Sequence, residues 1–213
     1  MNDDDDLFPD PPFNMLISGV TGCGKTHLVL DLLANEFKGK YDYVLILCPT
    51  FLYNKTYDRR FIHEDPDVVP VVINSSEEHS QVFHLNKILN GIIKIFRDKS
   101  EQTLIIIDDC ANLHDTKLKS TALTQLAFHG RHINLSCWVI TQKYNAIVKD
   151  FRENIKMLIL FYDKDKKSRD AAFEENDTGV NEKSAVIETL KNNKNSKLIM
   201  QLFYPYKWSC RKC

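Results

Sequence analysis

The stretch Gly19-Val20-Thr21-Gly22-Cys23-Gly24-Lys25-Thr26 spells G-x-x-x-x-G-K-[ST] and narrows the possible folds of this chain more than any other segment. It stands between a short apolar run, Phe13–Ser18, and a segment, Lys25–Glu36, that carries Leu28, Leu30, Leu32 and Leu33 at mostly helical spacing. A chain that leaves a strand, turns through glycines and enters a helix aims backbone N–H groups and the positive end of that helix at one place. The anion that fits such a cradle is a nucleoside polyphosphate. The glycines let the backbone curl around phosphate oxygens, Lys25 reaches the β- and γ-phosphates, and the Thr26 hydroxyl ligates Mg²⁺. Gly19, Val20, Thr21, Gly22, Cys23, Gly24, Lys25, Thr26 and His27 are therefore the candidate ATP-binding residues, with Lys25 also catalytic. For Cys23 and His27 the plainer roles, loop filler and first turn of the helix, outweigh redox or acid–base chemistry.

A second motif lies further along. Thr103-Leu104-Ile105-Ile106-Ile107-Asp108-Asp109 is the most apolar run in the chain, and it ends in two carboxylates. In a P-loop fold such a strand finishes beside the phosphates, where the first acid holds Mg²⁺ through water and the second orients or deprotonates the attacking water. Asp108 is thus the expected metal ligand with Thr26, and Asp109 the candidate base. The second acid tilts the reading toward hydrolysis of ATP. In Trp138-Val139-Ile140-Thr141-Gln142 a polar residue ends the strand expected beside that of Asp108, and two readings stand: Gln142 senses the γ-phosphate or attacking water, or it is a surface loop residue. Arg131, just before the same strand, is either an arginine finger reaching across a subunit boundary or a salt-bridging loop residue, with Arg152 as the rival finger. Thr50, after Pro49, is a weaker candidate for touching the site or DNA, and Lys164–Arg169 reads as a solvated helix face.

Around these motifs, apolar runs and helical patterns alternate. Tyr43–Cys48, Val68–Ile73, Leu135–Thr141, Met157–Phe161 and Lys197–Tyr204 read as strands. Gln81–Phe96, Leu118–His129 and Tyr144–Lys156 read as helices, and Asp163–Asn195 as two solvated helices around Gly179. Strands that are apolar on both faces and separated by helices predict an α/β fold, a P-loop NTPase with three layers: a mostly parallel central sheet with helices on both faces. The expected organisation is a flexible acidic leader over residues 1–12, one ATPase domain over 13–206 and a C-terminal tail over 207–213.

Length and composition agree with this. The 213 residues suit one α/β domain, and 43% apolar with 27% charged residues is the composition of a globular chain. A formal charge of −1 excludes a general basic field for nucleic acid, so any DNA contact would rest on a few local Lys and Arg. No apolar run approaches the roughly 18 residues of a membrane span, and the acidic start lacks the order of a secretory signal, so no membrane partner and an intracellular location are expected. Six scattered cysteines then read as thiols. Cys210-x-x-Cys213 has no second pair, which favours a reduced tail over a zinc site.

Taken together, Leu-Ile-Ser-Gly-Val-Thr-Gly-Cys-Gly-Lys-Thr, Leu-Ile-Leu-Cys-Pro-Thr, Ile-Ile-Ile-Asp-Asp-Cys, Gly-Arg-His and Val-Ile-Thr-Gln resemble the poxvirus-type virion DNA-packaging ATPases of large double-stranded DNA viruses and their relatives integrated in eukaryotic genomes. That group is a branch of the FtsK–HerA class. The resemblance runs from about Pro12 to Tyr206 and implies a RecA-like, ASCE-type core in a homo-oligomeric ring, with ATP at subunit boundaries and strokes that push double-stranded DNA into a capsid through a capsid or portal component. It supports Lys25, Thr26, Asp108 and Asp109, Gln142 as sensor and Arg131 as the finger in trans, and it implies action in the host cell at virion assembly sites or within the virion. Many motors of the wider class carry Glu where this chain has Asp109, one methylene shorter. No nuclease or added DNA-binding module is expected within the chain. The competing readings are a nucleotide-kinase-like phosphotransferase, whose arginine-bearing lid would have to come from Arg59-Arg60 or Arg152, and a domesticated relative that binds nucleotide without packaging.

Overall fold

Among the described residues eight strands make one sheet in the order β3-β2-β4-β5-β1-β6-β7-β8. The computed structural model describes residues 7–51, 56–57, 68–71, 81–108, 110, 121–176 and 183–211. The strands are β1 (Asn14–Ser18), β2 (Tyr43–Leu47), β3 (Val68–Val71), β4 (Thr103–Asp108), β5 (Leu135–Thr141), β6 (Met157–Phe161), β7 (Lys197–Gln201) and β8 (Lys207–Arg211). The helices are α1 (Lys25–Ala34), α2 (Gln81–Phe96), α3 (Thr121–His129), α4 (Lys149–Arg152), α5 (Lys166–Glu175) and α6 (Lys183–Asn192). From β3 to β6 every pairing is parallel; β7 and β8 are added antiparallel. Pro70, which has no N–H for a ladder, sits in the outermost strand β3.

Alternation along the strands divides the core into two. On one face Leu16, Leu45, Ile105, Ile107, Cys137, Val139 and Leu158 meet Leu85, Leu89 and Ile92 of α2 and Leu123 and Leu126 of α3. On the other, Met15, Ile17, Ile46, Ile106, Trp138, Ile140 and Ile159 meet Leu28, Val29, Leu32 and Leu33 of α1. Phe37 closes this second layer with its ring 5.1 Å from that of Trp138. Strands β1, β4, β5 and β6 are buried along their whole length, which is why they read as unbroken apolar runs rather than alternating ones. The expected three layers are present. The register also sets the site: β5 lies between β1 and β4, so the end of β1 and the end of β4 are one strand apart.

Three expectations need correction. The leader is not loose as far as Pro12: Leu7 is buried and Phe8 packs edge-on to Phe37 at 5.7 Å, two apolar side chains finding the open end of the α1 layer; residues 1–6 lie outside the described residues. Lys207–Arg211 is not a tail but the edge strand β8, with Cys210 opposite Leu198 and Trp208 opposite Met200. Lys207, Ser209 and Arg211 alternate with those two, Trp208 is exposed and none of the five is fully buried, so this edge strand offers no apolar run to a search of the sequence. Tyr144–Lys156 is not one helix but a 3-10 turn, Tyr144–Ala146, followed by the short α4, because β-branched Ile147 and Val148 are extended between them. Gly179 and Cys213 lie outside the described residues, so the turn expected at the first and the Cys210–Cys213 pair are not described.

Candidate nucleotide-binding site

The glycine-rich loop hangs from its neighbours at the C-terminal edge of the sheet. Gly19 N–H donates to Thr141 O at 3.2 Å and Val20 N–H to Tyr162 O at 3.4 Å, fastening it to the ends of β5 and β6. Gly19 has no room for a side chain, since a Cβ there would lie 2.5 Å from Phe161 Cβ. Gly22 and Gly24 have φ of 73° and 101°, and Gly24 begins α1 with no side-chain cap. The first turn of α1 thus has no side-chain acceptor from its own cap, at the place where an anion is best held. Lys25 Nζ lies against the inside of the loop, donating to Gly19 O at 2.7 Å and Val20 O at 3.0 Å. Cys23 is buried beneath it, and that burial raises the thiol pKa, consistent with a packing role.

The two motifs converge. Thr26 Oγ1 donates to Asp108 Oδ2 at 3.0 Å, joining the start of α1 to the end of β4. Thr21, Gly22, Gly24, Lys25, Thr26, His27, Asp108 and Gln142 line one cleft of about 300 Å³. The Thr26 hydroxyl and Asp108 carboxylate supply oxygens of the kind Mg²⁺ takes beside phosphates, and the loop N–H groups with Lys25 suit the phosphates themselves. The residues present therefore fit ATP with Mg²⁺. Asp109, the candidate base, lies outside the described residues.

The two arginines part company. Arg131 is exposed in the 3-10 turn Gly130–Ile133 that precedes β5, so it stands at the opposite end of β5 from Gln142, about 20 Å away along the strand. It does not reach the cleft. Arg152 is buried, ion-paired with Glu175, bonded to Ile147 O at 3.1 Å and stacked over the Tyr144 ring at 4.8 Å. A finger needs a mobile, exposed fork, so Arg152 is a structural residue and the rival reading fails. Within the cluster Lys164–Arg169, Arg169 donates to Asp163 O and lies over the Tyr162 ring, so it is anchored rather than solvated.

Three residues at the site escaped the sequence reading. Thr56 lines the cleft, and Tyr57 Oη donates to Asp108 Oδ2 at 2.7 Å while its ring stacks on Phe51. Burial, then the negative charge of Asp108, push the Tyr57 hydroxyl far above its ordinary pKa, so it stays a donor. Lys194, in the turn between α6 and β7, brings its Nζ within 3.9 Å of the position a Cβ on Gly22 would take. Only the general rule that loops after parallel strands line the ligand crevice pointed to Thr56 and Tyr57, which follow β2. No local pattern marked Lys194.

Comparison with known proteins adds to this geometry. The family model described as Poxvirus A32 protein matches residues 3–202. The chain belongs to that family. The resemblance read from the motifs is thereby borne out. The DNA packaging protein OPG160 of Variola virus is 30% identical over 150 residues, covering 68% of this chain and 51% of its own length. The chain thus spans about half the length of the curated relatives it matches. Among solved structures, B204, the DNA-packaging ATPase from Sulfolobus Turreted Icosahedral Virus, superposes with a TM-score of 0.67 at 16% identity, over 96% of this chain and 98% of that one. The genome packaging NTPase B204 from Sulfolobus turreted icosahedral virus 2 in complex with AMPPCP gives 0.66 at 16% identity, over 96% and 99%. At that identity the likeness establishes the shared P-loop fold.

Proposed function

We propose that this A32-family chain hydrolyses ATP with Mg²⁺ to drive double-stranded DNA into a viral capsid. The observation that carries the reading is the contact of Thr26 with Asp108 in the cleft that Lys25 also lines, which supports reading the two as the metal-binding pair beside the phosphates. Support for DNA as the cargo comes from the OPG160 proteins, named for DNA packaging, and support for the nucleotide from the B204 complex with AMPPCP.

The loop N–H groups and Lys25 hold and orient the triphosphate, and Thr26 and Asp108 hold the metal. Bound Mg²⁺ supplies charge that offsets the negative charge developing on the transferred phosphoryl group. Asp109 takes the proton of the attacking water, and Gln142 senses the γ-phosphate from the end of β5. Arg131, which lies too far from its own cleft, enters the cleft of the next subunit in a homo-oligomeric ring and completes the charge balance there. Binding energy then becomes motion because each site is finished by a neighbour that moves with the DNA. A capsid or portal component receives the strokes, inside the host cell at virion assembly sites. None of the helices in the described residues is long and apolar enough to cross a membrane.

The test is phosphate release per subunit across a range of protein concentrations, with and without long duplex DNA. The expected result is a rate that rises with both. A rate indifferent to concentration and to DNA would contradict the motor reading.

A further inference from the structure

Among the described residues two hydroxyls donate to Asp108 Oδ2, one from the nucleotide-binding motifs and one from outside them. Thr26 Oγ1 reaches it at 3.0 Å and Tyr57 Oη at 2.7 Å. The two are not equivalent. Thr26 is itself expected to turn to the metal, so its bond to Asp108 is one the working site must share or release. Tyr57 has no such second duty. Its side chain is buried, and its ring is held by Phe51 with centroids 5.0 Å apart and planes at 27°. Phe51 in turn closes a turn on the end of β2 through its N–H to Cys48 O at 3.2 Å. A ring stack beyond the end of the neighbouring strand β2 thus ends in a hydroxyl that donates to the carboxylate.

We propose that Tyr57 is a positioning residue that fixes the Asp108 carboxylate for Mg²⁺, an inference that rests on the nucleotide site described above. An aspartate at the tip of a strand can rotate, and Mg²⁺ accepts little departure from octahedral geometry. A partner that does not itself bind metal sets which oxygen faces it, and such outer partners typically carry about 10–100-fold in metal affinity. Thr56, the preceding residue, lines the cleft, so the same short segment both walls the nucleotide and orients its metal ligand. Tyr57 touches no phosphate in this account; it acts through Asp108.

The experiment uses the full chain and a fluorescent ATP analogue, titrated with Mg²⁺ at fixed nucleotide, then repeated in EDTA, with melting temperatures measured alongside. Tyr57→Phe keeps the ring and removes the hydroxyl. It should raise the Mg²⁺ concentration for half-maximal binding about tenfold and leave affinity in EDTA within about twofold. Phe51→Leu keeps the hydroxyl and loosens the stack, and should lower the melting temperature with a smaller shift in the Mg²⁺ midpoint. An unchanged midpoint in Tyr57→Phe, or equal shifts in both variants, would overturn the proposal and leave Tyr57 as packing. A wild-type chain that binds no nucleotide under any condition would instead overturn the nucleotide site and, with it, this role.

Discussion

Thr26 and Asp108 stand 82 positions apart in the chain and share a hydrogen bond of 3.0 Å. That contact exists because β5 separates β1 from β4 by a single strand, so the helix that follows β1 starts within reach of the end of β4. Lys25→Ala should lower turnover about 10²–10³-fold, the usual cost of losing one charged donor aimed at a transferring group. Measured as initial rates at saturating ATP, a loss under tenfold would contradict the placement of Lys25.

Gly19 and Gly24 both resist replacement by Ala, for different reasons. At Gly19 the added carbon would lie 2.5 Å from Phe161 Cβ and 3.4 Å from Phe161 Cα, atoms of a buried strand that cannot swing aside. Gly19→Ala should therefore cost about 1–3 kcal/mol of stability as overpacking. At Gly24 nothing lies within 4 Å, but φ is 101°, so Gly24→Ala should cost about 1–2 kcal/mol through backbone strain alone. Urea midpoints check both; a Gly19→Ala chain as stable as the wild type would refute the close approach.

Arg131 and Arg152 should separate activity from stability. Arg152→Ala leaves Glu175 without its ion-pair partner and Tyr144 without its cation, and should cost about 3 kcal/mol, at the low end for breaking a buried pair because Glu175 is 29% exposed. Arg131→Ala, at an exposed turn, should leave the melting temperature unchanged and lower turnover about 10³-fold at concentrations where subunits assemble. Melting curves and assembly-dependent rates for the pair test this, and the reverse pattern would move the finger to Arg152.

Asp165 links pH to the turn that carries Gln142. It caps α5 by accepting from the N–H groups of Lys167 and Ser168, and pairs with Lys143 at 3.0 Å. The Lys143 hydrogen bond, then the Ser168 N–H, hold its carboxyl below the ordinary range. A depressed folded-state pKa stabilises above the unfolded value near 3.8 and is lost as pH falls through the folded value. Asp165→Asn should thus be less stable than the wild type at pH 7, with the gap closing as pH falls below about 4. Equal urea midpoints at pH 7 would remove the cap from the account.

How much of this was legible in the residues depended on how local the cause was. The glycine loop, α1 and the Asp108 strand declare themselves because each is a contiguous pattern with one physical requirement. Strands β1, β4, β5 and β6 were equally plain, since burial on both faces leaves them apolar at nearly every interior position, Ser136 in β5 apart. What stayed hidden depends on distant partners. Tyr57 matters through a carboxylate 51 positions away, and Lys194 through a turn that only the antiparallel addition of β7 brings over Gly22. Strand β8 was missed because an edge strand with no fully buried residue looks like a charged tail. Arg152 looked like a finger because nothing in its own segment announces Glu175.

The most direct test of the central claim is an equilibrium titration of ATP, with and without Mg²⁺, against the wild-type chain and Asp108→Asn. Asn keeps the shape of the side chain but brings no negative charge to the metal. The account predicts tight Mg²⁺-dependent binding by the wild type, and by Asp108→Asn the same weak binding with Mg²⁺ as in EDTA. Equal Mg²⁺ dependence in the two proteins would contradict it, because Asp108 and Thr26 would then not be holding the metal of a bound nucleotide.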